Sequence, residues 1–124
     1  MKRSNLIIKI IIPFLLLFFS CNNNSENNKL IMGNWSAVEW LVNGKPSDRN
    51  VQATHFSFTD KGAYSFEYAG NKETGTYKVE NDMLFTTPVN QQEIMVKIIK
   101  LTKDSLIFEM NRGGQPESLT LLRK

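Results

Sequence analysis

The chain has 124 residues, with 15 lysines and arginines against 12 aspartates and glutamates. Three of those cations, Lys2, Arg3 and Lys9, fall within the first 20 residues, so the rest of the chain is formally neutral. Nucleic-acid binding needs a basic face that displaces counterions from phosphates. The neutral remainder has no cluster of lysine or arginine that would form one, which excludes this class of partner.

The first 20 residues are predicted to be a secretory signal peptide. Lys2 and Arg3 supply a basic start, and residues 6–19 are apolar apart from Lys9. This run is shorter than the roughly 18 residues that a membrane-spanning helix needs, and the small residue Ser20 follows it. We therefore expect residues 1–20 to be removed, and they take no part in the predicted fold.

The single cysteine of the chain, Cys21, follows this segment directly. The sequence L-F-F-S-C at residues 17–21 resembles the lipobox of bacterial lipoproteins, although Phe18 stands where that family usually has leucine. The resemblance implies that Cys21 carries palmitate-like acyl chains, and several such chains hold a protein stably at a bilayer. Asn22 follows where an aspartate would signal inner-membrane retention, so the outer membrane is favoured and its leaflet stays open. The alternatives are an ordinary secreted protein whose lone cysteine lies near the cleavage site by chance, and a protein whose apolar segment stays uncleaved as an anchor.

Residues 21–29 are rich in asparagine and contain almost no side chain that packs, which predicts a flexible tether. The remaining residues, 30–124, are predicted to form a single domain. With Cys21 acylated, this domain has no disulfide. Its stability must then come from the burial of apolar side chains.

In the domain, apolar residues recur at every second position between turn sequences such as Asn43-Gly44. This pattern is typical of half-buried strands joined by tight turns, and it predicts eight of them. The alternating residues that mark the strands are Val38, Trp40 and Val42; Phe56 and Phe58; Tyr64, Phe66 and Tyr68; Tyr77 and Val79; Leu84; Ile94, Val96 and Ile98; Leu106, Phe108 and Met110; and those from Leu119 to Arg123. We predict an all-β fold, an eight-stranded up-and-down antiparallel barrel rather than a sandwich, because closure removes exposed sheet edges.

Several short motifs in this domain carry a family likeness. Gly33-Asn34-Trp35 resembles the Gly-x-Trp that opens lipocalins, and the sequences at residues 56–66, 75–79 and 101–108 are similar to the small lipocalin-like domain of Bacteroidetes-type envelope lipoproteins. The resemblance covers residues 33–124. It implies that Trp35 packs at the closed barrel end under a basic residue, which by position is Arg123. The lipocalin motif Thr-Asp-Tyr is missing, which argues against a deep ligand cavity.

Aromatic side chains at inward positions are the candidate ligand-binding residues: Trp40, Phe56, Phe58, Tyr64, Phe66, Tyr68 and Tyr77. Two interpretations stay open for them. They line a cavity for a small apolar or amphipathic ligand, with the tyrosine hydroxyls as polar contacts. Alternatively they fill the lumen, since an eight-stranded barrel is just wide enough for its own side chains or for one small ligand.

No catalytic, metal or cofactor motif is recognisable, so we predict a protein that is not an enzyme and needs no cofactor. The single histidine, His55, would need to face a carboxylate within a cleft to act as a base. A second possible role is a structural or interaction protein, such as an accessory subunit or a protease inhibitor, that works through loops 43–52, 86–92 and 111–117. Asp104-Ser105-Leu106 resembles an O-glycosylation signal of some bacterial envelope proteins, and a plain turn is its alternative.

Overall fold

A computed structural model describes residues 23–124 of the chain, so the predicted signal peptide and Cys21 lie outside the described residues. The described elements are α1 (Asn23–Ile31), β1 (Gly33–Val42), β2 (Lys45–Pro46), a single 3-10 turn (Val51–Ala53), β3 (Thr54–Phe58), β4 (Ala63–Tyr68), β5 (Asn71–Glu80), β6 (Met83–Pro88), β7 (Ile94–Leu101), β8 (Ser105–Arg112) and β9 (Gln115–Arg123). Within this part of the chain, no helix is both long and apolar enough to cross a bilayer.

The strands form a closed antiparallel barrel. From β3 to β9 each strand pairs with the next one in the chain, and β1 pairs with both β3 and β9, which closes the ring. The two-residue strand β2 pairs with the end of β1, on the edge that β3 leaves free. Eight strands therefore make the ring, and the prediction of an all-β, eight-stranded up-and-down barrel is confirmed.

The two ends of the barrel differ. Helix α1 and the turns at residues 59–62, 81–82 and 102–104 lie at one end, which we call the closed end. The turns at residues 43–44, 69–70, 89–93 and 113–114 lie at the other, which we call the open end. Inward side chains fill the half next to the closed end and are almost fully buried; among them are Trp35, Ala37, Phe58, Val79, Ile98, Leu106 and Leu121.

One residue of β1 that was predicted to point inward, Val38, points outward. The alternation of apolar residues predicts Val38 to point inward, but 52% of its surface is exposed, while its neighbour Ala37 is buried. The pairing of β1 with β9 shifts register between Ala37 and Glu39, which marks a β-bulge at Val38. The extra residue turns Val38 outward and lets both Ala37 and Trp40 point inward, because a bulge offsets the two-residue period by one.

The structure also differs from the predicted flexible tether, in the residues of that segment that it describes. Residues 23–29, expected to be flexible, belong to helix α1. The Asn28 side-chain amide donates to the carbonyl of Val79 at 2.9 Å, and its oxygen accepts from the amide of Val79 at 3.1 Å. The amide of Asn27 donates to the carbonyl of Asn81, and Ile31 is fully buried at the end of the helix. The helix is thus docked on the barrel by asparagine hydrogen bonds and by the buried side chain of Ile31.

Arg123 fastens the closed end. Its guanidinium donates hydrogen bonds to the backbone carbonyls of Leu30, Met32 and Lys103. It also lies 4.2 Å from the centroid of the Trp35 ring, and the Trp35 indole donates to the Ile31 carbonyl at 2.8 Å. A positive charge at the last carbonyls of α1 is favoured by the helix dipole. Helix, first strand and last strand are therefore held by one side chain.

The bulge at Val38 is tested by placing one charge at two adjacent positions. Ala37→Asp puts a carboxylate into the core, so we expect a loss of about 3 kcal/mol or more in the free energy of unfolding, measured by urea denaturation. Val38→Asp, with the same charge on the outer face, is expected to cost about 1 kcal/mol at most. A larger loss for Val38→Asp than for Ala37→Asp would show that the register described here is wrong.

Candidate functional site

A cavity of about 120 Å³ lies in the open half of the barrel and is open to solvent. Its wall is mainly apolar: Trp40, Phe56, Phe66, Leu84, Ile94, Val96, Phe108, Met110 and Leu119. Four side chains add polar atoms: Tyr64, Glu73, Thr86 and Arg112. All of them project inward from their strands at every second position, as the pleat requires.

The structure divides the predicted aromatic set between the two halves of the barrel. Trp40, Phe56, Tyr64 and Phe66 line the cavity. Phe58 and Tyr77 do not, because they pack edge to face, with ring centroids 4.9 Å apart, nearer the closed end, where the Tyr77 hydroxyl donates to the Thr59 carbonyl. Tyr68 lies edge-on to Trp40, with ring centroids 5.8 Å apart. The cavity therefore lies in the open half of the barrel, and the closed half is packed core.

One side of the cavity is a wall of stacked rings. Phe56 and Phe66 are directly opposite on β3 and β4, and their ring centroids lie 4.6 Å apart in a stacked arrangement. Phe108 meets Phe56 edge-on at 5.7 Å. Aromatic pairs at these separations stabilise each other beyond the area that they bury. The wall is therefore held in shape before any ligand binds.

Tyr64 supplies a polar contact at the cavity wall. Its hydroxyl donates to Glu73 Oε2 at 3.0 Å, across the pair of strands β4 and β5. Burial raises the pKa of the Tyr64 hydroxyl, and the hydrogen bond to the Glu73 carboxylate raises it further. The phenol therefore remains a neutral donor at every pH up to its ordinary pKa of 10.0 and beyond.

Gly75 allows strands β5 and β6 to approach each other closely beside Tyr64. It lies directly opposite Tyr64 in the ladder, and a Cβ at Gly75 would stand 2.1 Å from the carbonyl oxygen of Thr87 on the next strand. A contact that short with backbone cannot be relieved by rotating a side chain. Only glycine lets β5 and β6 approach at this point.

A group of four side chains, which we call the mouth cluster, lies at the open end: Trp40, Arg49, Arg112 and Glu117. Glu117 is 3% exposed, and its Oε1 accepts from the Trp40 indole at 3.1 Å. Arg49 Nη2 lies 3.4 Å from the same oxygen, and Arg112 Nε lies 3.5 Å from Oε2. The Arg49 guanidinium also sits 4.8 Å from the centroid of the Trp40 ring. The buried carboxylate is thus paired on both oxygens.

Sequence reasoning did not find the mouth cluster. Glu117 was assigned to a loop, yet it stands two positions before the buried Leu119, so the alternation along β9 already placed it inward. A charged residue at an inward position was the available signal. Arg49 lies in an irregular connection, where no periodicity indicates which way it points.

His55 faces the outside of the barrel. Its Nδ1 is hydrogen-bonded to Ser36 Oγ at 3.1 Å, and Glu67 is its cross-strand neighbour on β4. A shallow groove of about 180 Å³ passes His55 and Glu67. The His55 imidazole is therefore hydrogen-bonded to a hydroxyl and lies outside the cavity. Among residues 23–124, no three His, Cys, Asp or Glu side chains are grouped so that they could hold a metal ion.

Ser105 begins β8, after the turn between β7 and β8. Its hydroxyl lies 3.0 Å from the Thr102 hydroxyl, and its backbone amide donates to the same Thr102 oxygen. These contacts are those of an ordinary polar turn. The O-glycosylation signal stays a prediction.

Comparison with known proteins agrees with this geometry. The family model described as a lipocalin-like domain matches residues 31–108, well over half of the chain. The crystal structure of a lipocalin-like protein from Bacteroides uniformis ATCC 8492 is similar, with a TM-score of 0.57 and 16% identity over 77% of this chain and 98% of that one. An uncharacterized protein from Bacteroides eggerthii DSM 20697 is similar at a TM-score of 0.56 and 16% identity, over 75% of this chain and 98% of that one.

At this level of identity the two structures are informative about the fold alone. No match was found among curated proteins. The family match, which begins at the buried Ile31 and ends at the buried Phe108, confirms the resemblance first noted at the Gly33-Asn34-Trp35 motif. The chain therefore belongs to the family of lipocalin-like domains.

Proposed function

We propose that this chain is a lipid-anchored binding protein that takes a small apolar or amphipathic ligand into the open end of its barrel and does no catalysis. The observation that supports this most directly is the cavity of about 120 Å³, with its preformed aromatic wall and its opening to solvent. A concave, mainly apolar site with a few convergent polar groups is the usual form of a small-molecule site.

The volume limits the size of the ligand. A cavity of about 150 Å³ in another protein binds benzene, and drug-sized ligands occupy about 300–1,000 Å³. The cavity of about 120 Å³ therefore matches a single ring or a short branched chain. A longer molecule would place only its apolar tip inside. The rest of it would extend into the mouth.

The distribution of polarity favours an amphipathic ligand. The aromatic side chains of Phe56, Phe66 and Phe108 form the apolar part of the cavity, while Glu73 and Arg112 project into it from strands that end at the mouth. A ligand with an apolar end and a polar end would satisfy both parts. A purely apolar ligand would make no polar contact with Glu73 and Arg112, which would stay hydrated.

The anchor is part of the proposal. Only Asn22 separates Cys21 from α1, and α1 lies over the closed end. One residue of extended chain spans at most about 3.6 Å. A lipid on Cys21 would therefore hold the closed end close to the outer membrane and direct the mouth away from the bilayer.

One surface feature favours a second candidate, an interaction protein of the envelope. Val89, Ile94 and Met95 lie beside the mouth with 61%, 47% and 60% of their surface exposed. Val89 lies in the turn at residues 89–93, whereas residues 86–88 of the predicted loop 86–92 belong to β6. Neighbouring exposed apolar side chains are typical of protein-binding sites. Binding of a partner protein to this surface would not require the cavity. A variant with a filled cavity would therefore lose small-ligand binding and keep binding of the partner.

Filling the cavity should abolish binding of a small ring compound. Val96 lines the cavity, so Val96→Phe places a ring in the space proposed for the ligand. We expect the affinity of the full chain for 2-phenylethanol, measured by isothermal titration, to fall at least about tenfold. The control is Ile99→Phe, which adds the same ring on the same strand at an exposed position and should bind as the unmodified chain does. Unchanged affinity in Val96→Phe would contradict the assigned site.

Removing the cysteine should detach the protein. In Cys21→Ala the barrel should fold normally, because Cys21 precedes every described element, but the protein should move from the membrane fraction to the soluble fraction. Ser25→Ala, a few residues further along, should stay with the membrane. Membrane retention of Cys21→Ala would rule out acylation at this residue as the anchor.

A further inference from the structure

We propose that the mouth cluster is a recognition site for a cationic group, and that Arg49 occupies this site when no ligand is bound. The inference rests on the proposed binding function and names the chemistry of the ligand's polar end, an ammonium or guanidinium group. It is drawn from the contacts of Arg49, which are those that a bound organic cation would make.

Two features of the protein contact the Arg49 guanidinium. It lies over the Trp40 ring, with 4.8 Å between the guanidinium carbon and the ring centroid. Its Nη2 also lies 3.4 Å from Oε1 of the Glu117 carboxylate. An aromatic face next to a desolvated carboxylate is an arrangement that binds organic cations, because the ring quadrupole and the anion both attract positive charge.

The charges on the barrel wall fit a cation. Among the inward-facing positions of the ring strands at the open end, three residues are charged: Glu73, Arg112 and Glu117. Their sum is one negative charge. Arg49, which comes from the connection between β2 and the 3-10 turn, balances it. Without Arg49 the mouth is a negative site that a single cation would neutralise.

Arg49 is placed to be exchanged. Its side chain is 35% exposed, and it lies outside every strand. Because Glu117 is buried, loss of this ion pair without replacement would be unfavourable, so Arg49 moves into solvent only when another cation takes its place. A ligand cation that takes its place leaves Glu117 paired on both oxygens, because Arg112 stays on Oε2. Since Trp40 also lines the cavity, the apolar end of the same ligand reaches the aromatic wall.

An anionic ligand fits the same residues less well. It would have to draw Arg49 or Arg112 away from Glu117, and a carboxylate that is 3% exposed would lose a cation. A buried charge without its partner is strongly unfavourable. The anion would also meet Glu73 in the cavity wall. The mouth cluster therefore favours cationic ligands over anionic ones.

The test removes Arg49 and compares three probes that share one ring and differ in charge: 2-phenylethylammonium, 2-phenylethanol and 3-phenylpropanoate. In Arg49→Ala, the affinity of the full chain for the ammonium should rise about tenfold relative to the unmodified chain, by isothermal titration, while its affinity for the alcohol changes little. Arg49→Lys should restore the low affinity, because lysine supplies the cation again. Glu117→Gln added to Arg49→Ala should remove the gain.

Lys45→Ala is the matched control, since it deletes an exposed cation of the neighbouring strand β2 and should leave all three affinities unchanged. An equal gain for all three probes would overturn the inference, because Arg49 would then be only a steric cover, and the binding function would stand. A gain for the anion, or a gain that survives Glu117→Gln, would also overturn it. Failure of every probe to bind any variant would overturn the proposed function together with the inference.

Discussion

The structure depends on one guanidinium at the closed end of the barrel. Arg123 reaches three backbone carbonyls, from Leu30, Met32 and Lys103, and lies against the ring of Trp35. Arginine can do this because its donors are arranged as a rigid planar fork. Gly33 leaves the space: its φ is +121°, and a Cβ there would stand 2.6 Å from Arg123 Nη1. The seam where the first strand meets the last is therefore fixed from inside, and α1 is fixed to it.

The asymmetry of the barrel follows from this closure. Next to Arg123 the lumen is filled by Trp35, Leu106 and Leu121, all of which are buried. An eight-stranded ring has room for its own side chains or for one small guest, so a filled half leaves the other half as the place for a ligand. There stacked aromatic rings line one side of the lumen, and charged side chains appear at inward positions. The paired carboxylate of Glu117 is one of these charged side chains, and the selection of a ligand by charge depends on it.

Local periodicity was enough to predict the fold, and long-range contacts account for what it missed. Alternation along the strands predicted the barrel and placed Phe56 and Phe66 inside. It failed at Val38, where a bulge interrupts the two-residue period. It failed for α1 because an asparagine tract has no apolar period; Asn28 docks by hydrogen bonds to Val79, 51 residues away.

The mouth cluster was missed for the same reason, since Trp40 and Glu117 are 77 residues apart and Arg49 lies in an irregular connection.

We propose that the ligand binds at one end of the barrel while the other end is sealed. The two tryptophans of the chain report on the two ends, because Trp40 lies in the mouth and Trp35 under Arg123. The most direct measurement is an NMR titration of both indole N–H signals with toluene, on the full chain. We expect a saturable shift of the Trp40 signal and a constant Trp35 signal. A shift of the Trp35 signal, or no shift of either signal, would contradict binding at the mouth alone.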